Sequence, residues 1–126
     1  MSKKPFGVIF MIDADQCGGN ITNKDHIQAF INTLVEKMGM TKKGDTIYQY
    51  FPDNEYNRER DIVGFSVVQI ISLSNITLHI NEISKTIYLD VFTCGSLDET
   101  VVSLLFSDFF KPKKMKKQRF IRDAKS

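Results

Sequence analysis

Across 126 residues the chain has no tryptophan, only three prolines, two histidines and two cysteines. Two cysteines, Cys17 and Cys94, are too few for a disulfide framework, and a reduced, cytoplasmic protein is expected. No apolar run approaches the roughly 20 residues of a membrane span. The opening MSKKPFGVIF lacks the apolar segment and small-residue cleavage site of a signal peptide, so no membrane partner is expected. Glycine-rich phosphate loops and metal-ligand spacings are missing too: Cys17 and Cys94 lie far apart, and His26 stands alone on a helix. No metal is expected. Charge of neither sign is in excess, and a net charge of +2 gives no bulk signature of a nucleic-acid binder. Basic side chains do crowd the end of the chain, at Lys111, Lys113, Lys114, Lys116, Lys117, Arg119 and Arg122. Only Phe120 interleaves with them, so the stacking platform of a single-strand binder is absent and a solvated edge strand is the better reading.

What remains is an ordinary globular composition, 42% hydrophobic and 25% charged, which at this length predicts one domain over 1–126. An apolar, β-prone run over 6–13 predicts a buried strand, ending in the loop formers Asp13 to Asn20. Ile27, Phe30, Ile31, Leu34, Val35 and Met38 recur at helical steps, giving a helix over about 23–39 capped by Thr22 or Asn23. Residues 46–51 read as a strand and the polar stretch 52–61 as a surface loop. Three strands follow, at 62–72, 75–81 and 85–94. Alternation puts Ile76, Leu78 and Ile80 on one face and His79 on the other. It likewise opposes Ile87, Leu89 and Val91 to Tyr88, Asp90, Phe92 and Cys94. In 62–72 both faces are apolar, so Ser66 takes no side from its pattern. Ser96-Leu97-Asp98-Glu99 reads as a capping box opening a helix over 97–109, and Pro112 stops it before a last strand at 115–121. The fold class is α+β: a two-layer sandwich, mainly antiparallel, with two helices on one face in the order β-α-β-β-β-β-α-β.

The three central strands carry a set of reactive side chains at fixed spacing: Ser66, Ser74, His79 and Cys94, the last closing Asp90-Val91-Phe92-Thr93-Cys94-Gly95. Taken singly, each reads as a turn serine, a packed histidine or a small buried thiol. Taken together, over about 64–95, the set resembles the small prokaryotic S-adenosylmethionine decarboxylases. That resemblance implies a proenzyme cut between Leu73 and Ser74 into chains 1–73 and 74–126, with a pyruvoyl cofactor made from Ser74. By the same resemblance Ser66 gives a hydrogen bond during processing, His79 is the base that removes the Cα proton of residue 74, and Cys94 is the proton donor in decarboxylation. The implied reaction binds a substrate amine to the pyruvoyl ketone as a Schiff base, an electron sink of the kind carbonyl cofactors provide. A homodimer with facing sheets and the active site between them is implied as well, which suits a mixed sheet face carrying Tyr88 and Phe92.

The chain departs from the family pattern in three places. Leu73-Ser74-Asn75 replaces the usual Glu-Ser-His, and Ile80-Asn81-Glu82-Ile83 follows His79 where Thr-Trp-Pro-Glu is usual. The segment before Ser66 is also longer and more charged. The first keeps the attacking hydroxyl and the scissile carbonyl, while the second removes an aromatic suited to an adenine ring and moves the carboxylate to the other face of an extended strand. Three readings stay open: decarboxylation of S-adenosylmethionine for spermidine synthesis, the same cofactor retuned to L-ornithine or L-arginine, and a non-processing regulatory paralogue. For the second, Asp13, Asp15, Glu82 or the acids of 53–61 are candidates to bind the distal cation.

Overall fold

Alternation governs the sheet. In a computed structural model, which describes residues 4–125, the strands are β1 (Gly7–Asp15), β2 (Ile47–Phe51), β3 (Gly64–Ile71), β4 (Ser74–Asn81), β5 (Thr86–Thr93) and β6 (Lys114–Arg122). They form one sheet in the order β2-β3-β4-β5-β1-β6, with every neighbouring pair antiparallel. Helices α1 (Lys24–Lys37) and α3 (Glu99–Phe110) pack on one face of it. The architecture is the α+β sandwich that the sequence predicts.

The core lies between these layers. Phe10, Ile12, Val67, Ile71, Ile76, Leu78, Ile80, Ile87, Leu89 and Val91 from the sheet join Ile27, Phe30, Ile31 and Leu34 of α1 and Val102, Phe106 and Phe110 of α3. Phe30 meets the rings of Phe106 and Phe110 edge-on, with centroids 6.0 and 5.0 Å apart. Each such fully buried side chain contributes roughly 2 kcal/mol over leaving it in water, which is what holds the helices to this face.

Two details differ from expectation. The stretch read as a loop at 52–61 contains a third, short helix, α2 (Glu55–Glu59), making the order β-α-β-α-β-β-β-α-β. Asn54 caps it by accepting the Asn57 N–H at 2.8 Å, and five residues are too few to show an apolar period. The cap of α3 is Asp98 rather than Ser96: its carboxylate accepts the N–H groups of Thr100 and Val101 at 3.0 and 3.2 Å. At α1 the choice between Thr22 and Asn23 falls to Asn23, whose side chain accepts the His26 N–H.

The other sheet face is open. Cross-strand register lays its side chains out in rows. One row runs Gln49, Ser66, His79, Tyr88, Asp13, Lys116 across all six strands. Another, nearer the β3–β4 turn, runs Ile70, Asn75, Phe92, Ile9, Phe120. Ile47, Ile70, Tyr88 and Phe120 are exposed on this face.

Candidate active site

The predicted site residues fall into two clusters. The first is built on the tight turn between β3 and β4. Only Ser72 and Leu73 join the strands, since Ile71 pairs with Ser74. A connection this short forces positive φ, and Leu73 takes it at 59° with its side chain 77% exposed. A left-handed leucine costs roughly 1 kcal/mol. The Leu73 carbonyl accepts the Cys94 N–H at 3.2 Å and the Cys94 thiol at 3.3 Å. One bond away, Ser74 is turned inward and only 8% exposed. Its hydroxyl donates to Thr93 Oγ1 at 2.7 Å, with Met40 Sδ at 3.2 Å as a second acceptor. Thr93 is fully buried and also receives the Gly95 N–H at 2.9 Å.

The second cluster lies further along the same strands. Ser66 and His79 are cross-strand partners, and Ser66 Oγ lies 3.0 Å from His79 Nδ1. Both face the open side, which settles the placement of Ser66 that its own strand pattern leaves undecided. His79 lies five residue steps from Ser74, about 17 Å along β4, and the odd spacing puts the two side chains on opposite faces. Within one chain, Ser66 and His79 therefore pair with each other and not with Ser74 or Cys94.

The acidic candidates scatter. Asp13 lies in the His79 row two strands away, about 10 Å at ordinary strand spacing. With Asp15, Thr86, Tyr88, Lys114 and Lys116 it lines a depression of about 380 Å³. Lys116 and Lys114 are the cross-strand partners of Asp13 and Asp15. Glu82 lies just past β4, its N–H donating to the Val63 carbonyl at 2.8 Å. Asp53 is engaged by Arg58, which holds its carboxyl below the usual range. Cys17 is buried at the opposite end of the sheet from Cys94. Burial, with the negative charge of Asp15 adding to it, pushes its thiol up to about 11.

The model of S-adenosylmethionine decarboxylase matches residues 9–123. The chain belongs to the S-adenosylmethionine decarboxylase family. No curated protein matches it. Among solved structures, the adenosylmethionine decarboxylase from Aquifex aeolicus VF5 superposes with a TM-score of 0.75, over 97% of this chain and 94% of that one, at 18% identity. At that identity the likeness shows the fold. Within this decarboxylase fold, sequence reasoning passed over Thr93 and Met40. Thr93 stands in the Asp90-Val91-Phe92-Thr93-Cys94-Gly95 run, so its neighbour Cys94 was the available signal. Met40 arrives from the loop after α1, and nothing local to it points to Ser74.

Proposed function

We propose that the chain is a self-processing proenzyme, cut between Leu73 and Ser74, that decarboxylates S-adenosylmethionine as a cytoplasmic homodimer serving polyamine synthesis. The observation that carries this reading is the Leu73 carbonyl, held by the N–H and thiol of Cys94 at the peptide bond that joins it to Ser74. Two donors on that oxygen stabilise the negative charge that develops when the hydroxyl attacks, as an oxyanion hole does. Ser74 Oγ bonds to the Leu73 carbonyl carbon, the C–N bond breaks, and the hydroxyl proton ends on the freed Ser74 nitrogen. A base then removes the Ser74 Cα proton and the Leu73 carboxylate leaves. Water replaces the nitrogen, which departs as ammonia.

A pyruvoyl group formed this way fits its surroundings, because Ser74 is nearly enclosed while the turn carrying the new chain ends is exposed. Such a group supplies a ketone that withdraws electrons from a bound amine substrate. Cys94 Sγ then carries the proton that the decarboxylated carbon takes up.

The base is the difficulty within one chain and the argument for two. His79 lies about 17 Å from Ser74 along β4, beyond direct proton transfer. In a two-fold pairing of open faces the base comes from the partner, whose Ser66–His79 cluster approaches the Leu73–Ser74 turn and the Cα proton of Ser74 rather than its inward hydroxyl. The pairing also covers Ile47, Ile70, Tyr88 and Phe120, which a lone sheet leaves in water.

For the substrate, a groove of about 710 Å³ on this sheet is lined by Phe6, Phe92, Ile121 and Arg122 among others. Phe6 and Phe92 stack with centroids 6.1 Å apart, an aromatic floor that suits a purine. This favours S-adenosylmethionine over L-ornithine or L-arginine, whose distal cation would meet Lys116 and Lys114, the residues opposite Asp13 and Asp15 across β1 and β6. The test is carbon dioxide release from each of the three, carboxyl-labelled. Release from S-adenosylmethionine, lost in Ser74→Ala, is expected. Release from ornithine or arginine alone moves the assignment to a basic amino acid, and release from none moves it to a regulatory paralogue.

A further inference from the structure

Ser74 has one hydroxyl proton and two acceptors for it, Thr93 Oγ1 at 2.7 Å and Met40 Sδ at 3.2 Å. Oxygen is the stronger acceptor, since a thioether sulfur accepts only weakly. Thr93 itself is tightly constrained. It is fully buried, it is the cross-strand partner of Ser74 in β5, and its Oγ1 accepts the Gly95 N–H at 2.9 Å. A threonine oxygen has two lone pairs. Gly95 takes one of them, and the Ser74 hydroxyl, the donor of the Ser74–Thr93 pair, takes the other. That polarity leaves both lone pairs of Ser74 Oγ free. In the reverse orientation Thr93 would occupy one of them, and the nucleophile would be blunted.

We propose that Thr93 is the positioning residue for self-cleavage, holding the Ser74 hydroxyl by its proton so that its lone pairs are left for the Leu73 carbonyl carbon. This deepens the self-processing reading and rests on it. Thr93 is not consumed: the Oγ–C bond forms, the C–N bond breaks, the proton passes to the Ser74 nitrogen, and no co-reactant is needed. Because an attacking group displaced by about 1 Å loses up to roughly a hundredfold in rate, the orientation of one hydroxyl is worth a large factor here.

The experiment follows cleavage of the freshly made full chain by denaturing gel and intact mass, in the parent, Thr93→Val, Thr93→Ser, Met40→Leu and His79→Ala. Thr93→Val keeps the volume and removes the acceptor, and cleavage is expected to slow by roughly ten- to a hundredfold. Thr93→Ser restores the oxygen and is expected within a few-fold of the parent, a rescue that a packing role alone would not give. Met40→Leu, which removes the weaker acceptor, is expected to slow cleavage less than Thr93→Val does. The stage of arrest is a second readout. Hydroxylamine cuts an ester but not an amide, so uncut Thr93→Val is expected to resist it while uncut His79→Ala is split. Where Thr93→Val does not fold, Thr93→Ala removes the hydroxyl without a second methyl and carries the same expectation. A parent that cleaves while folded Thr93→Val or Thr93→Ala keeps pace overturns the role of Thr93 alone. A parent that stays whole overturns the self-processing reading and this inference with it.

Discussion

His79 and Ser74 lie on one strand, yet their side chains leave opposite faces of the sheet about 17 Å apart. On the proposed roles, with His79 the base for the Ser74 Cα proton, that distance requires a second chain to supply the histidine. Two defective variants should then repair each other. His79→Ala and Ser74→Ala are each expected to form no pyruvoyl group when expressed alone. Co-expressed with different tags, they are expected to process the His79→Ala chain, using the partner's intact histidine, while the Ser74→Ala chain stays whole. Intact mass of each tagged chain reads the result. Absence of any cut chain in verified mixed dimers contradicts the arrangement.

The left-handed Leu73 stores backbone strain in the uncut chain. Glycine adopts that φ without the Cβ clash. In the uncut Ser74→Ala background, Leu73→Gly is expected to stabilise by about 1 kcal/mol, a rise of roughly 3–5 °C in Tm for a domain of this size. Calorimetry measures it. An unchanged or lowered Tm contradicts the strain at this turn.

The two thiols should differ in reactivity. Cys17 is 2% exposed and its pKa is pushed up to about 11, so at pH 8 about one in a thousand of these thiols is ionised. Iodoacetamide at pH 8 is expected to label the half-buried Cys94 and spare Cys17. The sign is that of an acid held protonated: protection of Cys17 is full below pH 9 and fades as pH rises toward 11. Equal labelling of both cysteines at pH 8, read by peptide mass, contradicts this burial.

Much of the fold was legible because it rests on periods. Ile76, Leu78 and Ile80 against His79, and Ile87, Leu89 and Val91 against Tyr88, declare a half-covered sheet, and the structure buries the first face of each strand. Helix α2 was not legible, since its stability comes from the Asn54 cap and not from an apolar stripe. Nor was the shift of the α3 cap from Ser96 to Asp98, because either residue offers an oxygen at the right place in the sequence. The four reactive residues could be named from their spacing and the family they resemble. How they are divided could not. Whether Ser66 meets His79 or Ser74 depends on the register across β3 and β4, and the Ser74–Thr93 and Leu73–Cys94 contacts join strands that are far apart in the chain. Spacing along one strand says little about what its neighbour brings alongside.

The central claim is that the chain cuts itself at Ser74, and the intact mass of the purified parent under denaturing conditions tests it most directly. The account predicts two fragments, 1–73 and 74–126, the second lighter by one ammonia than simple hydrolysis would leave it. A single uncut chain of 14.5 kDa, unchanged over days, would contradict it.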